Sequence, residues 1–205
     1  MNKIVFFDTE TTGMPVWSSP SDSEEQPHLT QIGAIVAHAE TGEVLSSIDL
    51  TIRPEGWEIP KEVSDLNQLT TDYCKAIGIN EKLALEVFLD LIADAKKIIA
   101  HNSSFDQRII RIAMKRYGYT DAALIEWADK ELHHCTMRAA HPIMGLTRNG
   151  KPKFPNLGET YKHFIGKPLE NAHTAMADAR GCMEVYFAMQ AEEKAKANAE
   201  PAISF

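Results

Sequence analysis

Four acidic residues stand where a folded chain would ordinarily place apolar ones. Asp8 and Glu10 follow directly on the apolar run 4–7 in "VFFDTETTG". Residues two apart on a strand face one side, so these carboxylates converge if the strand stays extended. In "AHNSSFDQRII", a helix starting near Ser104 puts Asp106 on one stripe with Ile109, Ile110, Ala113 and Tyr117. The helix dipole alone favours a carboxylate there. In "NAHTAMADARGCMEVYFAM", Asp178 shares helical spacing with Ala175, Cys182, Val185 and Met189, too far into the helix for a capping role. A buried, unpaired carboxylate costs several kcal/mol, of that order, unless it is paired, protonated or bound to metal.

His173 adds a proton acceptor to these acids. It precedes Asp178 by five residues, which on a regular helix turns the two side chains about 140° apart. Both can serve one site only if His173 lies at or before the first turn, with Asn171 as a candidate N-cap. Four gathered carboxylates would repel and raise one another's pKa. Two divalent cations would cancel the four negative charges. An all-oxygen ligand set suits Mg²⁺, or Mn²⁺ as an alternative, better than Zn²⁺.

The elements that must hold these residues follow from patterning. Residues 3–8 read as a buried central strand, and 30–38 and 43–52 as a hairpin turning near Thr41-Gly42. The segment 14–29, rich in Pro, Ser and acid, reads as a long loop. Helices are predicted over 80–94, 104–117 and 120–130, with short strands at 96–100 and 132–137. Residues 140–155 read as a loop, short helices follow, and a strong helix runs from about 173 into the 190s. The order βββαβαβα predicts an α/β fold: a mixed central β-sheet, antiparallel hairpin strands beside parallel ones, flanked by α-helices. The expected division is a main domain over 1–191 and a helix extension with a flexible tail over 192–205.

The chain has 205 residues, 44% hydrophobic and 24% charged, which suits one globular domain with a sizeable core. No apolar run spans a bilayer, and the first apolar stretch meets Asp8 too soon for a signal peptide, so a cytoplasmic protein with no membrane partner is expected. Cys74, Cys135 and Cys182 fit neither a zinc spacing nor a disulfide framework and read as free thiols. The net charge of −8 argues against gripping nucleic acid by bulk charge. The distribution is uneven, with six basic residues and one acidic one between Thr136 and Pro168. Within that stretch Arg148, Lys151 and Lys153 are candidate phosphate contacts. Arg108, Arg111, Lys115 and Arg116 read as a solvated helix face.

Three segments, "DTETTG" (8–13), "HNSSFD" (101–106) and "HTAMAD" (173–178), resemble the motifs of the DEDDh, or DnaQ-like, 3′→5′ exonucleases in order and approximate spacing. The resemblance covers roughly residues 3–190 and includes "QPHLTQIGAI" and "PNLGETYKHFIGKPLENAH". It implies an RNase H-like fold and a two-metal phosphodiesterase releasing nucleoside 5′-monophosphates from nucleic-acid 3′ ends. It further implies that Asp8, Glu10, Asp106 and Asp178 hold two Mg²⁺ and that His173 is the general base. Substrate contacts are implied for Glu10, Thr11, Thr12, Gly13, Met14 and Asn102, with Glu10 meeting the terminal sugar and Met14 the terminal base. Asn67 and Gln68 stand where many relatives carry His-Gly, a departure in the substrate-facing segment. DNA, single-stranded or frayed, is the expected substrate in preference to RNA. An exoribonuclease, a proofreading subunit beside a polymerase, and a non-catalytic end-binding module are the alternatives.

Overall fold

The computed structural model describes residues 2–199; the tail "PAISF", expected to be frayed, lies outside them. A five-stranded sheet runs in the order β3-β2-β1-β4-β5. Its strands are β1 (Lys3–Thr11), β2 (Leu29–His38), β3 (Val44–Thr51), β4 (Ile98–Ala100) and β5 (His133–Cys135). β1, β2 and β3 pair antiparallel, whereas β1, β4 and β5 pair parallel. The mixed sheet expected from the sequence is therefore present.

Alternation along the strands divides the core in two. Val5 and Phe7 of β1, with Ile32, Ala34 and Val36 of β2, pack against three helices. These are α3 (Glu81–Ile92), α4 (Ser103–Arg116) and α5 (Asp121–Trp127). Ile4, Phe6, Ile35 and Ala37 face the other way, onto Cys182 and Met183 of α8 (Ala175–Ala199). Both faces of β1 are thus covered, which is why its apolar run shows no alternation. Asn80 and Thr120 cap α3 and α5 through side-chain oxygens, as their residue types favour.

Several elements differ from expectation. Two short helices, α1 (Lys61–Asn67) and α2 (Thr71–Ile77), were not foreseen; seven residues each are too few to show a 3.6-residue period. Residues 140–144 are helical, not loop: α6 spans Thr136–Met144, contains Pro142 and ends on Gly145 at φ 56°. Ala140 is fully buried against Tyr161, Val185 and Met189, so packing overrides the loop-forming composition. The basic stretch forms a tight hairpin of β6 (Thr147–Arg148) and β7 (Lys151–Pro152), turned by Asn149 and Gly150, both at positive φ. Helix α7 (Leu157–Ile165) opens on a capping box between Asn156 and Glu159. Helix α8 runs unbroken across the expected boundary at residue 191. All three cysteines are free. Among the described residues no helix is long and apolar enough to cross a membrane.

Candidate active site

The end of β1 carries Asp8 opposite Gly33 and Glu10 opposite Gln31 on β2. Cross-strand partners share a face, here the face on which α8 lies. Gly33 lets α8 come down: a Cβ there would sit 2.4 Å from the backbone of Ala175 and Met176. Asp178 lies in the first turn of α8, not far inside the helix as the spacing suggested, and this approach brings it in. Asp8, Glu10 and Asp178 each offer a carboxylate oxygen, all within 4.8 Å of one another.

Asp106 arrives by another route. Parallel strand β4 ends beside β1, the chain turns at Asn102 with φ 64°, and α4 begins. Asp106 in its first turn is 1% exposed. Its Oδ1 accepts from the Thr9 backbone N–H at 3.0 Å and the Thr9 hydroxyl at 2.8 Å. Thr9, lying between Asp8 and Glu10 in sequence, therefore locks the fourth acid from the opposite face of the strand. Ile109, Ile110 and Ala113 are buried beneath it, as the helical stripe predicts.

The acids strain one another. Burial pushes the Asp8 carboxyl well above its ordinary value, and the neighbouring charges of Asp106, Asp178 and Glu10 push it further. Glu10 is raised from 4.5 to about 7, chiefly by burial, against the hydrogen bond from Asn67. Asp106 is raised to about 7, again chiefly by burial, with the two Thr9 bonds opposing. Asp178 is also raised by burial, while the His173 N–H, 3.4 Å from Oδ2, opposes. The other oxygen, Oδ1 of Asp178, is buried with no hydrogen-bond partner among the described residues. Three converging carboxylates and one orphaned oxygen fit a hard divalent cation, because a cation satisfies that oxygen and offsets the repulsion.

This electrostatic stress predicts a pH dependence. The folded state holds protons on Glu10 and Asp106 up to about 7, whereas the unfolded chain releases them near 4.5 and 3.8. For a raised acid, the contribution to stability is greatest below the unfolded value and is lost as pH rises through the folded one. Glu10 alone, carried from 4.5 to about 7, corresponds to on the order of 3 kcal/mol. Thermal melting in EDTA is expected to give a lower Tm at about pH 8 than at about pH 5.5, with Mn²⁺ restoring the loss at the higher pH. A Tm independent of pH over that range in EDTA would contradict it.

The remaining site residues are distributed unevenly. His173 is exposed at φ 72° on the loop entering α8, with Asn171 at φ 54°. It lies before the first turn, as its joint service with Asp178 requires. Asn171 is not the cap; Thr174 is, its hydroxyl accepting from Ala177 N–H at 3.4 Å. Thr11 and Thr12 spend their hydroxyls locally, on Gly13 and on the His28 N–H. Met14 is 69% exposed, and Asn102 is exposed with Ser104 on its Oδ1. Arg148 and Lys151 stand exposed on the hairpin, while Lys153 is committed to Glu159. Phe105 packs against the core.

One prediction needs correction. Arg108 and Arg116 are not simply a wet face: Arg108 holds Ser19 O, and Arg116 holds Glu81, Gln26 O and Pro27 O. Together with the buried Gln26 amide, which bonds Val16 N–H and the carbonyls of Val16, Ser19 and Pro20, they staple the loop 12–28. Asn67, noted only as a departure, is buried and donates to Glu10 Oε2 at 3.1 Å while accepting from Leu69 N–H. No local pattern signals that contact, which crosses from α1 to β1.

Comparison with known proteins agrees with this geometry. The RNase_T family model, described as "Exonuclease", matches residues 5–186. The DNA polymerase III subunit epsilon of Treponema pallidum is 26% identical over 89% of this chain and 74% of its own. A putative bifunctional exonuclease/endonuclease of Mycobacterium tuberculosis is 25% identical over 90% of this chain and 26% of its own. Among solved structures, Escherichia coli exonuclease I with a dT13 oligonucleotide superposes with TM-score 0.76 at 19% identity, covering 97% of this chain. A further exonuclease I structure gives TM-score 0.72 at 21% identity over 93%. The chain spans 43% and 41% of those two structures' length. The family match over residues 5–186 places the chain in the exonuclease family, among the DnaQ-like 3′→5′ exonucleases.

Proposed function

We propose that the chain removes nucleoside 5′-monophosphates from the 3′ ends of DNA, single-stranded or frayed, with two Mg²⁺ per site. The observation that carries this reading is the set Asp8, Glu10 and Asp178 within 4.8 Å, with Asp178 Oδ1 left unpartnered. These three side chains would hold a cation, and Asp106, its Oδ1 held by Thr9, would complete the acidic set. Bound there, divalent cations would supply water activation and charge stabilisation at the leaving 3′-oxygen. His173, exposed on the loop that enters α8 with its backbone N–H on Asp178, would take the proton of the attacking water, a role imidazole fills near neutral pH. Asn67 keeps one Glu10 oxygen directed. Met14 meets the terminal base, and Arg148 and Lys151 meet phosphates further along the strand.

Exonuclease I has been solved with dT13 and dA16 oligonucleotides, which supports single-stranded DNA as the substrate here. The acidic net charge of −8 fits a site holding a few terminal nucleotides through metals. Likeness to a polymerase subunit favours, as a second reading, work beside a replication polymerase.

Digestion of 3′- and 5′-labelled single-stranded DNA, duplex DNA and RNA, with Mg²⁺, Mn²⁺ or EDTA, tests the proposal. The 3′ label should leave first as mononucleotide, and EDTA should abolish release. Activity surviving EDTA, or degradation starting at the 5′ end, would overturn it. Faster digestion of RNA would reassign the substrate to an exoribonuclease.

A further inference from the structure

Gln31 occupies a position where its neighbours on the same face of β2, Ile35 and Ala37, are apolar. It is 7% exposed, and an amide buried there is unfavourable unless both its ends are satisfied. Both are. Nε2 donates to Asp49 Oδ1 at 2.7 Å, and Oε1 accepts from the Ala175 backbone N–H at 3.0 Å. A carboxylate can only accept and a backbone N–H can only donate, so one orientation of the amide serves both partners. The bond to Asp49 is charge-assisted and holds that orientation.

The Ala175 N–H is one of the first-turn donors that no intrahelical carbonyl reaches. The start of α8 is therefore bonded to the sheet itself, through a side chain. Two residues along β2, Gly33 seats the backbone of Ala175 and Met176 with no room for a Cβ. The seat limits approach, and the Gln31 bond limits sliding along the strand. Asp178 lies on this same turn, its N–H bonded to Thr174 O at 3.0 Å, and the His173 N–H reaches back to Asp178. Asp8 and Glu10 belong to β1, whereas Asp178 belongs to α8, so they share a cation only if helix and strand keep one register.

We infer that Gln31, oriented by Asp49, is a positioning residue that sets the register of Asp178 and of the His173 loop against the carboxylates of β1. Apolar packing alone would hold α8 on the sheet; the amide fixes where along β2 it stops. The inference rests on the metal site of the proposed function, and supporting residues of this kind typically change metal affinity or rate by about 10–100-fold.

Three variants test it: Gln31→Leu, which loses both bonds at similar volume; Asp49→Ala, at an exposed position, which frees the amide to rotate; and Asp49→Asn, which keeps an acceptor. Mn²⁺ binding is titrated calorimetrically on substrate-free protein, and amide exchange is followed over the first turn of α8. Nucleotide release is measured as kcat and KM. Gln31→Leu should weaken Mn²⁺ binding by about 10-fold, lower kcat in proportion with KM little changed, and speed exchange at Ala175. Asp49→Ala should show the same changes at smaller size, and Asp49→Asn should restore them to within about twofold. Wild-type Mn²⁺ affinity and kcat in Gln31→Leu would overturn the inference. So would equal losses in Asp49→Ala and Asp49→Asn, a comparison that decides the matter even if Gln31→Leu fails to fold. If wild type itself releases no nucleotide, the functional reading fails, while Mn²⁺ titration and exchange still decide for or against the clamp.

Discussion

Asp8→Asn is expected to lower nucleotide release by about 10³-fold or more while raising the Tm of the metal-free protein at about pH 8. The loss follows because a cation cradle is worth several kcal/mol to a phosphoryl transition state, and each 1.36 kcal/mol is about tenfold in rate. The gain follows from the same charge. Burial, with Asp106, Asp178 and Glu10 close by, already holds the Asp8 carboxyl well above its ordinary value. Removing that charge with an isosteric amide relieves repulsion that the empty cluster cannot offset. A relief of on the order of 1–2 kcal/mol would lift Tm by about 2–8 °C in a chain of this size. With Mn²⁺ present the order should reverse, because wild type gains binding energy that the variant lacks. Release within tenfold of wild type at saturating Mn²⁺, or a lower Tm in EDTA, would sink the reading of Asp8 as a metal ligand.

His173→Ala is expected to cost about 10²–10⁴-fold in kcat, the usual range for a positioned general base, with Mn²⁺ affinity unchanged. Asp178 is reached by the His173 backbone N–H, not by its ring, so the variant keeps that contact. His173→Gly separates chemistry from backbone strain, since φ 72° is a conformation glycine adopts freely. That variant should be equally slow and no less stable. A full rate in either one removes His173 from the mechanism.

The positions of the four acids were more legible in the sequence than the contacts that support them. Asp106 and Asp178 were identified because local helical spacing places them among residues that prove buried, Ile109, Ile110 and Ala113 in one case, Ala175, Cys182 and Val185 in the other. Strand alternation placed Asp8 and Glu10 on one face in the same way. The supporting contacts cross between elements distant in the chain. Asn67 reaches Glu10 across 57 positions, and Gln31 reaches Ala175 across 144. No periodicity carries such information. Helices α1 and α2 were missed for want of length, and the end of α6 because Gly145, Gly150, Pro152 and Pro155 make the whole of 140–155 read as loop.

The stapled segment between β1 and β2 bears on how substrate is met. Gln26, 2% exposed, closes a ring of hydrogen bonds onto Val16, Ser19 and Pro20, and Arg108 and Arg116 fasten that ring to α4. Immobilising a free loop upon association would consume about 1–2 kcal/mol of backbone entropy per residue. Here that ordering is already complete when the chain folds. If Met14, borne on this segment, meets the terminal base as proposed, it does so from a preorganised surface, and no affinity goes to ordering the loop.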